Sequence, residues 1–105
     1  MILTTTDSVP NRKVKEILGI AMGNTVRAKH IGKDIMAGLK SVVGGEIKQY
    51  TEMMSDSRKE SINRMINHAK ELGADAIINV RFMTSMTMRG AAELLAYGTA
   101  VKLER

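Results

Sequence analysis

The fold turns on the stretch Ala76-Ile77-Ile78-Asn79-Val80-Arg81-Phe82-Met83-Thr84-Ser85-Met86-Thr87-Met88, followed by Arg89-Gly90 and by Ala91-Ala92-Glu93-Leu94-Leu95-Ala96-Tyr97-Gly98-Thr99-Ala100-Val101-Lys102-Leu103. Two long runs, strong in strand-forming residues, flank a dipeptide whose glycine accepts a positive φ, the pattern of a β-hairpin with a two-residue turn. With Met88 set opposite Ala91, Phe82 falls opposite Tyr97, Val80 opposite Thr99 and Ile78 opposite Val101, so one face is apolar throughout. A slip of one residue would destroy that match, which sets the expected register. The apolar face is expected to lie beneath helices, with Phe82 and Tyr97 as a buried cross-strand pair. The opposite face carries Ala92, Ala96, Gly98 and Ala100, whose small side chains permit close approach, and a contact between subunits is expected there.

Upstream of this hairpin, Ile2 to Thr5 reads as a short strand and Asp7-Ser8-Val9-Pro10-Asn11 as a turn holding the single proline. Residues from Val14 to about 27 alternate in polarity and read as a strand, with Gly19 and Gly23 marking a bulge or an end. Ile31, Ile35, Leu39 and Val42 recur at helical spacing, predicting a helix over 30–43 that stops at Gly44-Gly45. A longer helix is expected from Ile47 to Leu72, with Tyr50, Met54, Ile62, Met65, Ile66, Ala69 and Leu72 on its apolar side. Ser55-Asp56-Ser57 is a candidate interruption, and Gly73 marks the end. The expected class is α+β: a two-layer β-β-α-α-β-β subunit, with an antiparallel sheet backed by helices.

The 105 residues fit one domain, 1–105, because two separate cores would be too small to be stable at this length. With 44% hydrophobic and 26% charged residues, the composition is that of a folding globular chain. No run approaches the roughly 20 apolar residues of a membrane helix, and with no cysteine present the reading is of a soluble, cytoplasmic protein. The absence of cysteine removes disulfides, thiolate nucleophiles and Cys-based zinc sites together. The net charge of +5 invites nucleic acid, but the basic residues are dispersed and Tyr50, Phe82 and Tyr97 are too few for a stacking platform, so the sequence argues against that partner.

Gly44-Gly45-Glu46 with Tyr50-Thr51, Arg58, Leu72-Gly73-Ala74-Asp75-Ala76-Ile77-Ile78 and Tyr97-Gly98-Thr99-Ala100-Val101 together resemble the YbjQ family over nearly the whole chain. The resemblance implies a subunit like that of dodecin, assembled as a homopentameric ring. The family has no established activity, carries a heavy-metal-binding label, and assigns no catalytic residue or cofactor.

Three functions are weighed. A homo-oligomeric ring that binds a small molecule or ion at subunit interfaces accounts best for so small a subunit; Glu46, Tyr50 and Arg58, near a helix start, are its candidate ligand-binding residues. A soft-metal protein is suggested by nine methionines, with Met83, Met86 and Met88 as thioether candidates for Cu(I). On a regular strand Met86 and Met88 share one face and Met83 takes the other, so one subunit is not expected to gather three sulfurs. An enzyme of unidentified class is weakly supported, since His30 and His68 have no carboxylate partner at triad or ligand spacing and no nucleophile motif is present.

Overall fold

The computed structural model describes residues 1–28, 42–43, 46–88 and 91–105. Along the chain these form β1 (Ile2–Leu3), β2 (Val14–Ala28), β3 (Val42–Val43), β4 (Glu46–Ile47), α1 (Lys48–Glu71), β5 (Ala76–Met88) and β6 (Ala91–Leu103). A four-stranded sheet runs in the order β1-β5-β6-β2, and β3 and β4 make a separate antiparallel ribbon. The sheet is mixed rather than purely antiparallel, because β1 lies parallel to β5, with Ile2 opposite Ala76 and Leu3 opposite Ile77. The chain between them includes β2 and α1, long enough for a crossover connection, which parallel pairing requires. The expected helix over 30–43 lies outside the described residues as far as 41, and Val42–Val43 are strand, not helix.

The long helix forms without a break at Ser55-Asp56-Ser57. Ser57 and Ser61 are buried in line with Met65 and Ala69, a row at four-residue steps that makes one face of the helix narrow. It ends in a Schellman cap: Gly73 takes φ 81°, its N–H donates to Lys70 O (3.0 Å), and the Ala74 N–H donates to Ala69 O (3.0 Å).

That narrow face rests on the small-residue side of the sheet. Residues opposite each other across antiparallel strands share a face, so the pairs Ala21 with Gly98, Gly23 with Ala96 and Thr25 with Leu94 define the side under α1. Ala21, Ala96, Ala100, Ile77 and Val80 pack there against Met65 and Ala69. The approach is closest at Gly23, where a Cβ would lie 2.3 Å from Met65 N and 2.4 Å from Ser61 O. Three hydroxyls in this layer are satisfied internally: Ser61 donates to Leu94 O (3.0 Å), lies 3.1 Å from the Thr25 hydroxyl, and Ser57 accepts from Arg27 Nε (3.2 Å).

The hairpin spans the expected residues, but its register departs from the expected one. Met88 does oppose Ala91, yet Phe82 opposes Ala96, Arg81 opposes Tyr97 and Ile78 opposes Thr99. Two bulges cause this, each placing an extra residue on β5 and moving every later pair by one. Thr87 is the extra residue in the first. In the second, Asn79 adopts φ 53°, and Asn79 and Val80 together face Gly98. The bulges set Phe82 opposite Ala96, where it is 45% exposed, while Tyr97, between Ala96 and Gly98 on β6, lies on the face away from α1. The expected buried aromatic pair does not form.

Candidate functional site

The face of the sheet away from α1 is where the chain leaves apolar surface open. By register Ile20, Met22 and Val26 of β2, Leu95 and Tyr97 of β6 and Met83 of β5 all belong to it. Ile20 is 60% exposed, Val26 56% and Met83 59%. At its other end the same face is covered in part, where Val9, from the turn after β1, packs on Ala76, Ile78, Val101 and Leu103, while Ile17, opposite Val101, stays exposed. Alternation along β2 explains the division: Ala21, Gly23 and Thr25 are small enough to admit the helix, which turns their large neighbours outward.

The two outer edges of the sheet differ. The β2 edge is engaged by α1, since the Met22 N–H donates to His68 Nδ1 (3.0 Å) and Arg64 Nη1 donates to Asn24 O (2.6 Å). Nearby, Glu60 is shared by Arg27 and Arg64, and Asn24 Nδ2 donates to Glu93 Oε2 (3.2 Å). Both Glu60 oxygens are taken by guanidiniums, so this carboxylate is a structural counter-ion rather than a free base. On β5, by contrast, all residues from Arg81 to Met88 are exposed, and β1 pairs with its first residues only. Among the described residues this stretch of edge has no partner strand, and such edges invite one.

The residues singled out from the sequence fall as follows. Ala96, Gly98 and Ala100 are buried inside the chain, and Ala92 is half-buried. The close approach their size allows is real, but α1 and the β5 bulge make it: a Cβ on Gly98 would meet Ile77 Cγ2 at 2.7 Å and Ile78 O at 2.9 Å. Within the chain α1 takes the place expected for a second subunit at these residues, because it rests on their side of the sheet, and the face left open is the opposite one. Arg58 is exposed and donates to Ser55 Oγ (3.2 Å) within its own helix. Glu46 lies in β4 and Tyr50 in the first turn of α1. Their side chains lie outside the described residues, and at about 1.5 Å of rise per residue Arg58 stands roughly 12 Å along the helix from Tyr50. His30, Gly44-Gly45 and Arg89-Gly90 also lie outside them. The signal that pointed to the open face was present in the sequence as large Ile20, Met22 and Val26 alternating with small Ala21, Gly23 and Thr25.

The family model YbjQ, described as "Putative heavy-metal-binding", matches residues 1–104. The chain belongs to the YbjQ family. Among YbjQ relatives, a UPF0145 protein of Archaeoglobus fulgidus is 70% identical over 98% of this chain and 95% of its own length. Another UPF0145 protein, of Methanoculleus marisnigri, is 66% identical over 98% of this chain and 96% of its own. A crystal structure of a protein of unknown function from Pediococcus pentosaceus, of the DUF74 family, superimposes with a TM-score of 0.69. It covers 99% of this chain and 98% of its own at 17% identity, a likeness of fold.

The heavy-metal description of the YbjQ family does not find a donor set in the described residues. No group of three or more His, Cys, Asp or Glu there is placed to hold an ion. The bulge at Thr87 also rearranges the methionines: by register Met83 (opposite Leu95) shares a face with Met88 (opposite Ala91), and Met86 (opposite Ala92) takes the other. All three are exposed, and a single chain does not converge their sulfurs. Among the described residues no helix is long and apolar enough to cross a membrane.

Proposed function

We propose that this YbjQ-family chain works as a homo-oligomeric binding protein, a closed ring that is pentameric as the family resemblance implies, assembled through the open apolar sheet face. The observation that carries the reading is the exposure of Ile20, Met22, Val26 and Met83 together on one face of a folded 105-residue domain. Large apolar side chains gathered on one exposed face, here around the polar pair Asn24 and Glu93, are uncommon on soluble monomers. A second copy is the occupant that fits, since a sheet face with large apolar side chains exposed packs well on another apolar layer. The β5 edge from Arg81 to Met88, which has no partner strand among the described residues, supports the same reading, since it offers backbone groups beside this face.

Light scattering on the purified protein at micromolar concentration tests the proposal. The expected result is a mass several times that of the 11.5 kDa chain, reduced to one chain by Ile20→Glu with Val26→Glu while the circular dichroism is retained. A wild-type monomer, or an unchanged assembly in the double variant, overturns it.

A further inference from the structure

At the end of the sheet opposite to Val26, Lys15, Lys102 and Arg105 line a cleft of about 360 Å³ together with Asp75 and Leu103. The cleft is built by local irregularities. Lys15 is the extra residue of a β-bulge, between the pairs Val14 with Leu103 and Glu16 with Lys102, and bulges redirect the side chains they carry. Across from it the cap of α1 turns the chain through Gly73, near which Lys102 Cε passes, so that Asp75 enters the cleft immediately before β5.

The charges there are unevenly committed. Asp75 Oδ2 accepts the Leu103 N–H at 2.9 Å, which anchors the carboxylate. Its ionised form is favoured first by that bond, which outweighs an opposing desolvation, and then by Lys102, Arg12 and Arg105, so that its carboxyl lies below the usual value. Lys15, Lys102 and Arg105 form no ion pair among the described residues, whose ion pairs are those of Arg27 and Arg64 with Glu60. Among the side chains that line this concavity, three cations stand against one carboxylate, a surplus of two.

We propose that this cleft binds the phosphate group of a small phosphate monoester that also carries a hydroxyl or amino group. A monoester is close to a dianion at neutral pH and matches the surplus, where a monocarboxylate would leave half of it unmet. Lysine and arginine supply the charge-assisted donors that phosphate oxygens accept. Asp75 Oδ1, which has no partner among the described residues, accepts from the ligand's hydroxyl or amino group and sets its orientation. The site is independent of the assembly face, since none of its residues lies among those proposed to meet a second copy.

Nuclear magnetic resonance titration at fixed ionic strength, with inorganic phosphate, adenosine 5′-monophosphate and unphosphorylated adenosine as probes, tests the inference. The expected result is saturable shifts of the Lys15, Asp75, Lys102 and Leu103 amides with the first two probes and none with adenosine. Lys15→Gln and Lys102→Gln should each weaken both phosphate probes about tenfold, the loss of one charge-assisted bond, with the assembly mass unchanged. Asp75→Asn should tighten inorganic phosphate while narrowing the advantage of the nucleotide over it. Absence of saturation in the millimolar range overturns the proposal. So does equal affinity in the Lys15→Gln, Lys102→Gln double variant, or a shift pattern spread over basic residues of the whole surface. A change of mass in the lysine variants with phosphate binding intact likewise overturns this site without touching the assembly reading.

Discussion

Replacing Gly23 by alanine adds one methyl group at the point where α1 and β2 come closest. The new Cβ would sit 2.3 Å from Met65 N and 2.4 Å from Ser61 O, about 1 Å inside ordinary contact. Those atoms belong to the helix main chain, so no side-chain rotation relieves the overlap, and the helix must lift. Overpacking of this kind costs about 1–3 kcal/mol. Lifting also stretches the Ser61–Leu94 and Thr25–Ser61 hydrogen bonds, now 3.0 and 3.1 Å, each worth about 1 kcal/mol. Against this, alanine restricts the unfolded chain and returns about 0.4–1 kcal/mol, because Gly23 is not among the positive-φ glycines. The expected net loss is about 2–4 kcal/mol, which at an m-value of about 2 kcal/mol/M moves the urea midpoint down by about 1–2 M. Urea unfolding followed by circular dichroism, at one fixed protomer concentration because assembly contributes to stability, measures it. Thr84→Ala on the exposed part of β5 serves as a control expected to stay within about 0.5 kcal/mol. A Gly23→Ala midpoint equal to or above wild type would show that the helix is not seated on β2 at this point, and the packing argument would fail with it.

Phe82→Ala should cost about 1 kcal/mol, well short of the loss for a buried aromatic, because the ring is 45% exposed; the same urea experiment reads it. Gly98→Val should unfold the protein rather than dissociate it, seen as loss of circular dichroism, since any Cβ there meets Ile77 and Ile78 of its own chain. Met86→Leu with Met88→Leu should preserve fold and mass, and anaerobic Cu(I) titration against a competing chelator should show no stoichiometric tight site abolished by the pair. The Asp75 carboxyl, followed by its carbon chemical shift, should titrate below the usual 3.8. Since the folded form holds it ionised, its stabilising contribution is present above that value and is lost as pH falls through the lowered one, and Asp75→Asn should flatten this acid limb.

The sequence by itself determined the elements. Local signals carried the hairpin from Ala76 to Leu103, the β2 strand from Val14 and the helix ending at Gly73, because strand alternation, helical spacing and a glycine cap act over a few residues and are written in order along the chain. Pairing partners and faces were settled only in the tertiary structure. A bulge of one residue at Thr87, and another at Asn79, changes which side chains look inward along the rest of β5, and a period-two pattern is blind to such an insertion. The serines of α1 were equally illegible, since Ser57, a candidate interruption in the sequence, and Ser61 find their places only beside Thr25, Arg27 and the Leu94 carbonyl. The small residues at Ala96, Gly98 and Ala100 did announce a close approach, but whether the approaching body was this chain or another depended on where α1 came to rest. The glycine at position 23 marks where, because its missing side chain lets the helix backbone come against β2 between Ala21 and Thr25, and with that side filled the large residues of β2 were left facing outward.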